Sequence, residues 1–280
     1  MAEQKTLNRL RSKIERAEHH ILDLQERWVD FIPDAYPVKS KDDPQSGERV
    51  WYLAYAKPIP NDFRAIAGDA VHNLRCALDH ICHHLAVIAT SGAGPFDGLY
   101  FPIAKNAHIF RERLKAAEEY KTVADGIIKR LGPDAVKAIA RLEPYDGGGG
   151  AILYHLHQLD ILDKHRLLLT VRGRNPTQTM PPGKIASYKR ALGMEDGRLT
   201  AREEAVAFQT ESFSPFPLKA GDELGRRPMS KADQEMYFPF VMAFGEPGVL
   251  KGKAVIPTLY QMSQFIRHVL RTFDRKGLLG

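Results

Sequence analysis

The chain has 280 residues, 44% of them hydrophobic, which is enough to bury one large core or two smaller ones and excludes a disordered chain. Forty Lys and Arg against 34 Asp and Glu leave a formal charge of +6, an excess that permits an anionic partner without requiring one. The first ten residues, MAEQKTLNRL, lack an apolar core and no apolar run approaches the roughly 20 residues of a membrane span, so neither a secretory signal nor a membrane association is expected. The only two cysteines, Cys76 and Cys82, lie six positions apart on one predicted helix and point in different directions. A disulfide framework is thereby excluded, and a cytoplasmic location is the expectation.

In chain order, Lys5 to Phe31 predicts a long helix. Leu7, Leu10, Ile14, Ala17, Ile21, Leu24, Trp28 and Phe31 alternate three-four spacings, a stripe that suits packing within the domain or against a second copy of the chain. Pro33 to Gly47 reads as a surface loop, Arg49 to Ala56 as a strand, and Asn61 or Asp62 as the cap of a second helix running to about Ala89. Further helices are expected over Ala107 to Tyr120, over Val123 to Leu142 with a break at Gly132-Pro133, and from Ala151 to about His165 after a flexible joint at Gly147 to Gly150. Strands are expected at Arg166 to Arg172, Ala205 to Ser212 and Met236 to Phe244, the last demoted by Pro239 to an edge or a bulge. A helix from Pro257 to Phe273, with a stripe of Leu259, Met262, Ile266, Val269 and Phe273, closes the chain. The order predicts an α+β fold, predominantly a helical bundle with a smaller antiparallel β-rich portion. Residues 1–165 would form the bundle with one early strand, 166–256 a β-rich excursion and 257–280 a closing helix packing back on the bundle, all in one continuous domain.

The second helix, NDFRAIAGDAVHNLRCALDHICHHLAVIAT, carries the chemistry. Ala67, Val71, Leu74, Leu78, Ile81, Leu85 and Ile88 form its seam, and at about 100° per residue Asp69, His72, Cys76, Asp79, His80 and His83 gather on the opposite side. No lysine falls between Lys57 and Lys105 and no glutamate between Glu48 and Glu112, although solvated helix faces are usually filled with those two. The expectation is a helix covered on most sides. Three chemistries fit its polar face. A divalent metal could take ligands from His72, Cys76, Asp79, His80 or His83, completed by His155, His157, Asp160 or Asp163 from a second helix, although no HExxH is present. Phosphodiester chemistry without metal could use Arg75 to hold a phosphate and His80 to take a proton, two residues about 140° apart on one straight helix. A purely structural role would pair Arg75 with Asp79 and leave the histidines satisfying packed groups in a non-enzymatic binding or scaffold protein.

The stretch GDAVHNLRCALDH, Gly68 to His80, resembles a block in a large set of uncharacterised bacterial proteins. These also carry a later DKHR block, here Asp163 to Arg166, and a match to the FPI at Phe101 to Ile103. Its R-x4-H element, Arg75 to His80, is similar to the signature of the HEPN superfamily, small and usually dimeric helical domains of which many are metal-independent ribonucleases. That resemblance implies RNA as partner, a homodimer, no cofactor and no metal, with Arg75 and His80 as the catalytic pair. Where that family often has Asn, Asp or His directly after the arginine, this sequence has Cys76. His72, Asn73 and Asp79 complete the candidate catalytic set, and Asp69 and Asp163 are the candidate orienting carboxylates. Lys164, His165 and Arg166 would add phosphate-binding charge or cap a helix C-terminus, with Arg172, Arg174, Arg226 and Arg227 extending the patch.

Overall fold

The computed structural model describes residues 2–94, 96–119, 130–163, 169–173, 217–231, 238–245 and 248–280. The expected strand at Ala205 to Ser212 and the expected helical stretch before Arg130 lie mostly or wholly outside them. The fold is α+β and predominantly helical, as the order of elements predicts, with six α-helices and five strands among the described residues. The helices are α1 (Ala2–Ala35), α2 (Asn61–Ala89), α3 (Ala107–Glu119), α4 (Pro133–Leu142), α5 (Ala151–Asp163) and α6 (Val255–Arg275). The strands are β1 (Val38–Asp43), β2 (Glu48–Leu53), β3 (Leu169–Gly173), β4 (Glu223–Pro228) and β5 (Phe240–Phe244). Among the described residues no helix is long and apolar enough to cross a membrane.

The chain divides into two compact units. One holds Met1–Leu22, Ala65–Leu167 and Leu259–Gly280, the other Asp23–Arg64 and Leu168–Thr258.

The first unit is helical. Leu10, Ile14, Ala17 and Ile21 on α1 are buried, as are Leu259, Met262, Ile266, Val269 and Phe273 on α6, so both predicted stripes are core faces. The α2 seam is buried from Ala67 to Leu85, whereas Ile88 near its end is 40% exposed. Glu18 on α1 is held by α6, accepting hydrogen bonds from Ser263 Oγ and from Arg267 Nε and Nη2. The chain end turns back toward α2, where His84 Nε2 meets the Leu279 carbonyl at 3.0 Å. The four glycines before α5 form a tight turn in place of the expected flexible joint. A Cβ on Gly148 would lie 2.4 Å from the Glu143 carbonyl oxygen, and one on Gly150 2.4 Å from that of Leu142. Contacts that close leave room for no side chain.

The second unit carries all the described strands. β2 pairs antiparallel with β1 on one side and β4 on the other, and β3 pairs antiparallel with β5. The strand at Val38–Asp43 falls in the segment expected to be a loop. Its sequence, VKSKDD, has no apolar alternation because it is an exposed edge, and charge on an edge strand deters pairing with other chains. A turn closes the hairpin: Asp43 accepts from the Gln45 amide and Ser46 hydroxyl, and Gly47 takes a φ of +68°. Arg49 then clasps Asp42 across the two strands at 2.6 Å. β5 begins directly after Pro239, which cannot donate to a ladder.

Burial alone would push the Glu18 carboxyl up, but the hydrogen bonds from Arg267 and Ser263 outweigh it and hold the group below its ordinary value. A carboxylate depressed in the folded state stabilises the fold above its unfolded pKa of ~4.3 and loses that contribution as pH falls through the folded value. Urea unfolding between neutral and acid pH should therefore show part of the acid loss of stability missing in Glu18→Gln, which starts less stable at neutral pH. An unchanged pH dependence in that variant would contradict the assignment.

Candidate functional site

The structure sets α2 so that its seam faces the core and a ribbon of polar side chains faces solvent. Asp69, His72, His80 and His83 are exposed, and Asn73, Cys76 and Asp79 are partly so. The helix is covered on most sides, as its composition predicts, and Asp69, His72, His80 and His83 mark the one strip left open. Lysine is missing from the sequence of α2, yet it is present at the face: Lys13 of α1 donates to Asn73 Oδ1 at 3.3 Å. The long cation that a solvated helix would normally carry itself comes from its neighbour.

Arg75 points the other way. It is only 6% exposed, and its Nη1 donates to Asp79 Oδ1 at 2.7 Å while Nη2 reaches the Phe101 carbonyl at 3.4 Å. The same Asp79 oxygen accepts the Phe101 amide at 2.8 Å. Arg75 and Asp79 together grip both backbone groups of Phe101, whose ring is buried. The FPI segment is thus an anchor of the core. Arg75 and His80 lie on opposite sides of the helix surface, one buried and one exposed, as their angular separation requires.

His80 sits in a basic neighbourhood. Burial, then the charges of Lys13 and Arg9 on α1, lower its pKa, and the nearby Asp79 carboxylate only partly opposes them. Two cations from another helix are thus close enough to act on the ring and disfavour its protonated form. His83, one turn on, packs edge-on against Phe96 with ring centroids 5.0 Å apart.

The other end of the ribbon is acidic. His72 Nδ1 meets Asp160 Oδ1 of α5 at 3.1 Å, and its Nε2 meets Cys76 Sγ at 3.4 Å. Asp163, at the end of α5, lies against α2 where Gly68 has no side chain: a Cβ there would come within 2.1 Å of its Oδ1. Burial pushes the Asp163 carboxyl up, and the neighbouring Asp160 and Asp69 add to the shift against the counter-pull of His72. Asp69 and Asp163 thus share one locality around His72. Asp160 at its centre is 7% exposed.

Among the described residues no group of three or more His, Cys, Asp or Glu side chains has an arrangement that could hold a metal ion. Of the ligands proposed from the second helix, His155 faces Asp146 at 3.8 Å. Lys164, His165, Arg166 and Arg174 lie outside the described residues. Arg172 belongs to β3. Arg226, on β4, is engaged by the carboxylates of Glu223 and Glu48 at 2.7 and 3.2 Å. The residues that the sequence did not single out are Arg9 and Lys13. They belong to the charged side of α1, where no motif distinguishes them from the other lysines and arginines.

No family model, curated protein or solved structure matches this chain, so the site is interpreted on its own geometry.

Burial raises the Asp79 carboxyl more than Arg75 and the Phe101 amide lower it. The pair therefore adds little net stability at neutral pH, and breaking it is a different matter, because the survivor is left charged and unmatched. Arg75→Ala should destabilise the protein by about 3–5 kcal/mol in chemical unfolding. Arg75→Lys, which cannot serve Asp79 and Phe101 with one planar fork, should recover only part of that loss. A loss below about 1 kcal/mol in Arg75→Ala, the range of an exposed pair, would show that the clamp is not buried in solution.

Proposed function

We propose that the exposed ribbon of α2 acts on RNA, with His80 as proton acceptor and Arg9 and Lys13 as the charges that hold a phosphate. The observation that carries this reading is an exposed histidine with two cations of α1 near enough to lower its pKa. A base at a 2′-hydroxyl must be unprotonated to work, and a phosphate arriving next to it must be met by positive charge. The two conditions are met together, because the cations that attract the phosphate also disfavour the protonated ring. The similarity to the HEPN signature points to the same chemistry, with one change of cast. Arg75 is committed to Asp79 and Phe101, so its phosphate-holding part passes to residues of α1, and the site needs no second subunit to supply the cation.

The role of Asn73 follows from its bond to Lys13, which positions that ammonium on the ribbon. Its own side-chain amide is tied to the Asp69 carbonyl at 2.8 Å, so the acceptor oxygen is held toward Lys13. A structural role for Arg75 alone is favoured by its burial, and it is compatible with this reading, since the two residues face different sides of the helix.

With single-stranded RNA as substrate, His80→Ala should lower cleavage by about 10²–10⁴-fold, the usual share of a general base. Lys13→Ala combined with Arg9→Ala should weaken binding at low salt and flatten its salt dependence. The wild-type rate should fall on acidification only below the ordinary histidine range near 6.5, since the His80 pKa is lowered. Normal cleavage by a folded His80→Ala protein would remove the catalytic reading, and binding that survives loss of both cations would remove the binding one.

A further inference from the structure

A second chemistry lies on the same ribbon, one turn toward its acidic end. Cys76, His72 and Asp160 form a chain of contacts: thiol to ring at 3.4 Å and ring to carboxylate at 3.1 Å. Cys76 and His72 are four residues apart on α2, the spacing that stacks side chains on one helix face, while Asp160 arrives from α5. The carboxylate can only accept, so the proton of the ring belongs on Nδ1. Nε2 is then the unprotonated nitrogen, and it is the atom that faces the sulfur. Asp160 thus selects the one tautomer in which His72 can take a proton from Cys76, the arrangement that activates a nucleophile.

We propose that Cys76 is a reactive thiol, with His72 as its general base and Asp160 as the positioning residue, and that it exchanges with low-molecular-weight disulfides. The S–H proton passes to His72 Nε2 as the Cys76 sulfur attacks one sulfur of the disulfide. The S–S bond of the reagent breaks, and its leaving thiolate takes the proton from His72. One mixed disulfide and one free thiol result, with no further oxidant needed.

The substrate class follows from the surroundings. The site is open: the His72 side chain is 57% exposed and Cys76 is half-buried on the helix surface. Acyl transfer would need donors for an oxyanion, yet Cys76 lies in mid-helix, where backbone amides are committed to their own carbonyls. Thiol–disulfide exchange develops charge only on sulfur and needs no such donors. Burial, with Asp79 and Asp160, pushes the Cys76 thiol up, and Lys13 and Arg75 pull it down without overcoming them, so the resting group is a thiol and a base beside it matters. The adduct has no internal route to resolution. Cys82, six residues on, is fully buried with its thiol pushed up to about 12, and it points elsewhere on the helix. The mixed disulfide should therefore persist as one adduct per chain.

The site does not depend on the RNA reading, because neither Cys76 nor His72 needs His80. The test is reaction of the full chain with glutathione disulfide at neutral pH, followed by mass spectrometry. One glutathione should attach, on Cys76 and not on Cys82. His72→Gln, an exposed change whose melting temperature should match the wild type, should react at least about tenfold more slowly at neutral pH. Asp160→Asn, if folded by the same criterion, should slow the reaction less. Equal rates for wild type and His72→Gln at neutral pH, or preferential labelling of Cys82, would overturn the proposal.

Discussion

A guanidinium taken out of water must be matched in both charge and hydrogen bonds, and Arg75 places that requirement in the core of the helical unit. Asp79 one turn on supplies the charge, and the backbone of Phe101 completes the set. The consequence reaches beyond the pair. With Arg75 fixed inward and the seam from Ala67 to Leu85 buried beside it, α2 has one allowed rotation about its axis. The ribbon of His72, Cys76, His80 and His83 is what remains outside. A charge that resembles a catalytic group in the sequence thus acts as the key that orients the surface on which catalysis is proposed.

That ribbon receives charge from two neighbouring helices. The charges of Lys13 and Arg9 on α1 act on His80, with Lys13 bonded to Asn73 between the two histidines, and α5 brings Asp160 and Asp163 to His72. Two histidines eight residues apart on one helix therefore meet different neighbours. His80 is discouraged from binding a proton by its cations. His72 has its tautomer selected by a carboxylate, which leaves its other nitrogen free to receive a proton from a thiol. Gly68 belongs to the same design, since only the absence of a side chain lets the Asp163 carboxylate approach α2 so closely.

The local elements were largely legible. Helix periodicity marked the faces of α1, α2 and α6, and it failed where periodicity carries no information. β1 is a polar edge strand whose partner, Glu48–Leu53, rather than its own pattern, makes it a strand. β4, ELGRRP, is also polar and was visible only as a pair of arginines. The glycine run reads as a flexible joint because composition shows that the residues can flex and not that the carbonyls of Leu142 and Glu143 crowd them.

The sequence by itself determined that this is an α+β chain dominated by helices, that α2 concentrates the histidines and both cysteines, and that Arg75 and His80 diverge around its axis. All three follow from the 3.6-residue period, which acts between near neighbours. Only the tertiary structure decided which polar residue turned inward, and which partners met the ones left outside. Lys13 stands 60 residues from Asn73, and Asp160 stands 88 from His72. Contacts over such separations depend on how helices pack, and no repeat within either helix encodes them. The same residue types on α2 are compatible with a metal site, a phosphate site or plain packing until α1 and α5 supply the neighbours that each histidine meets.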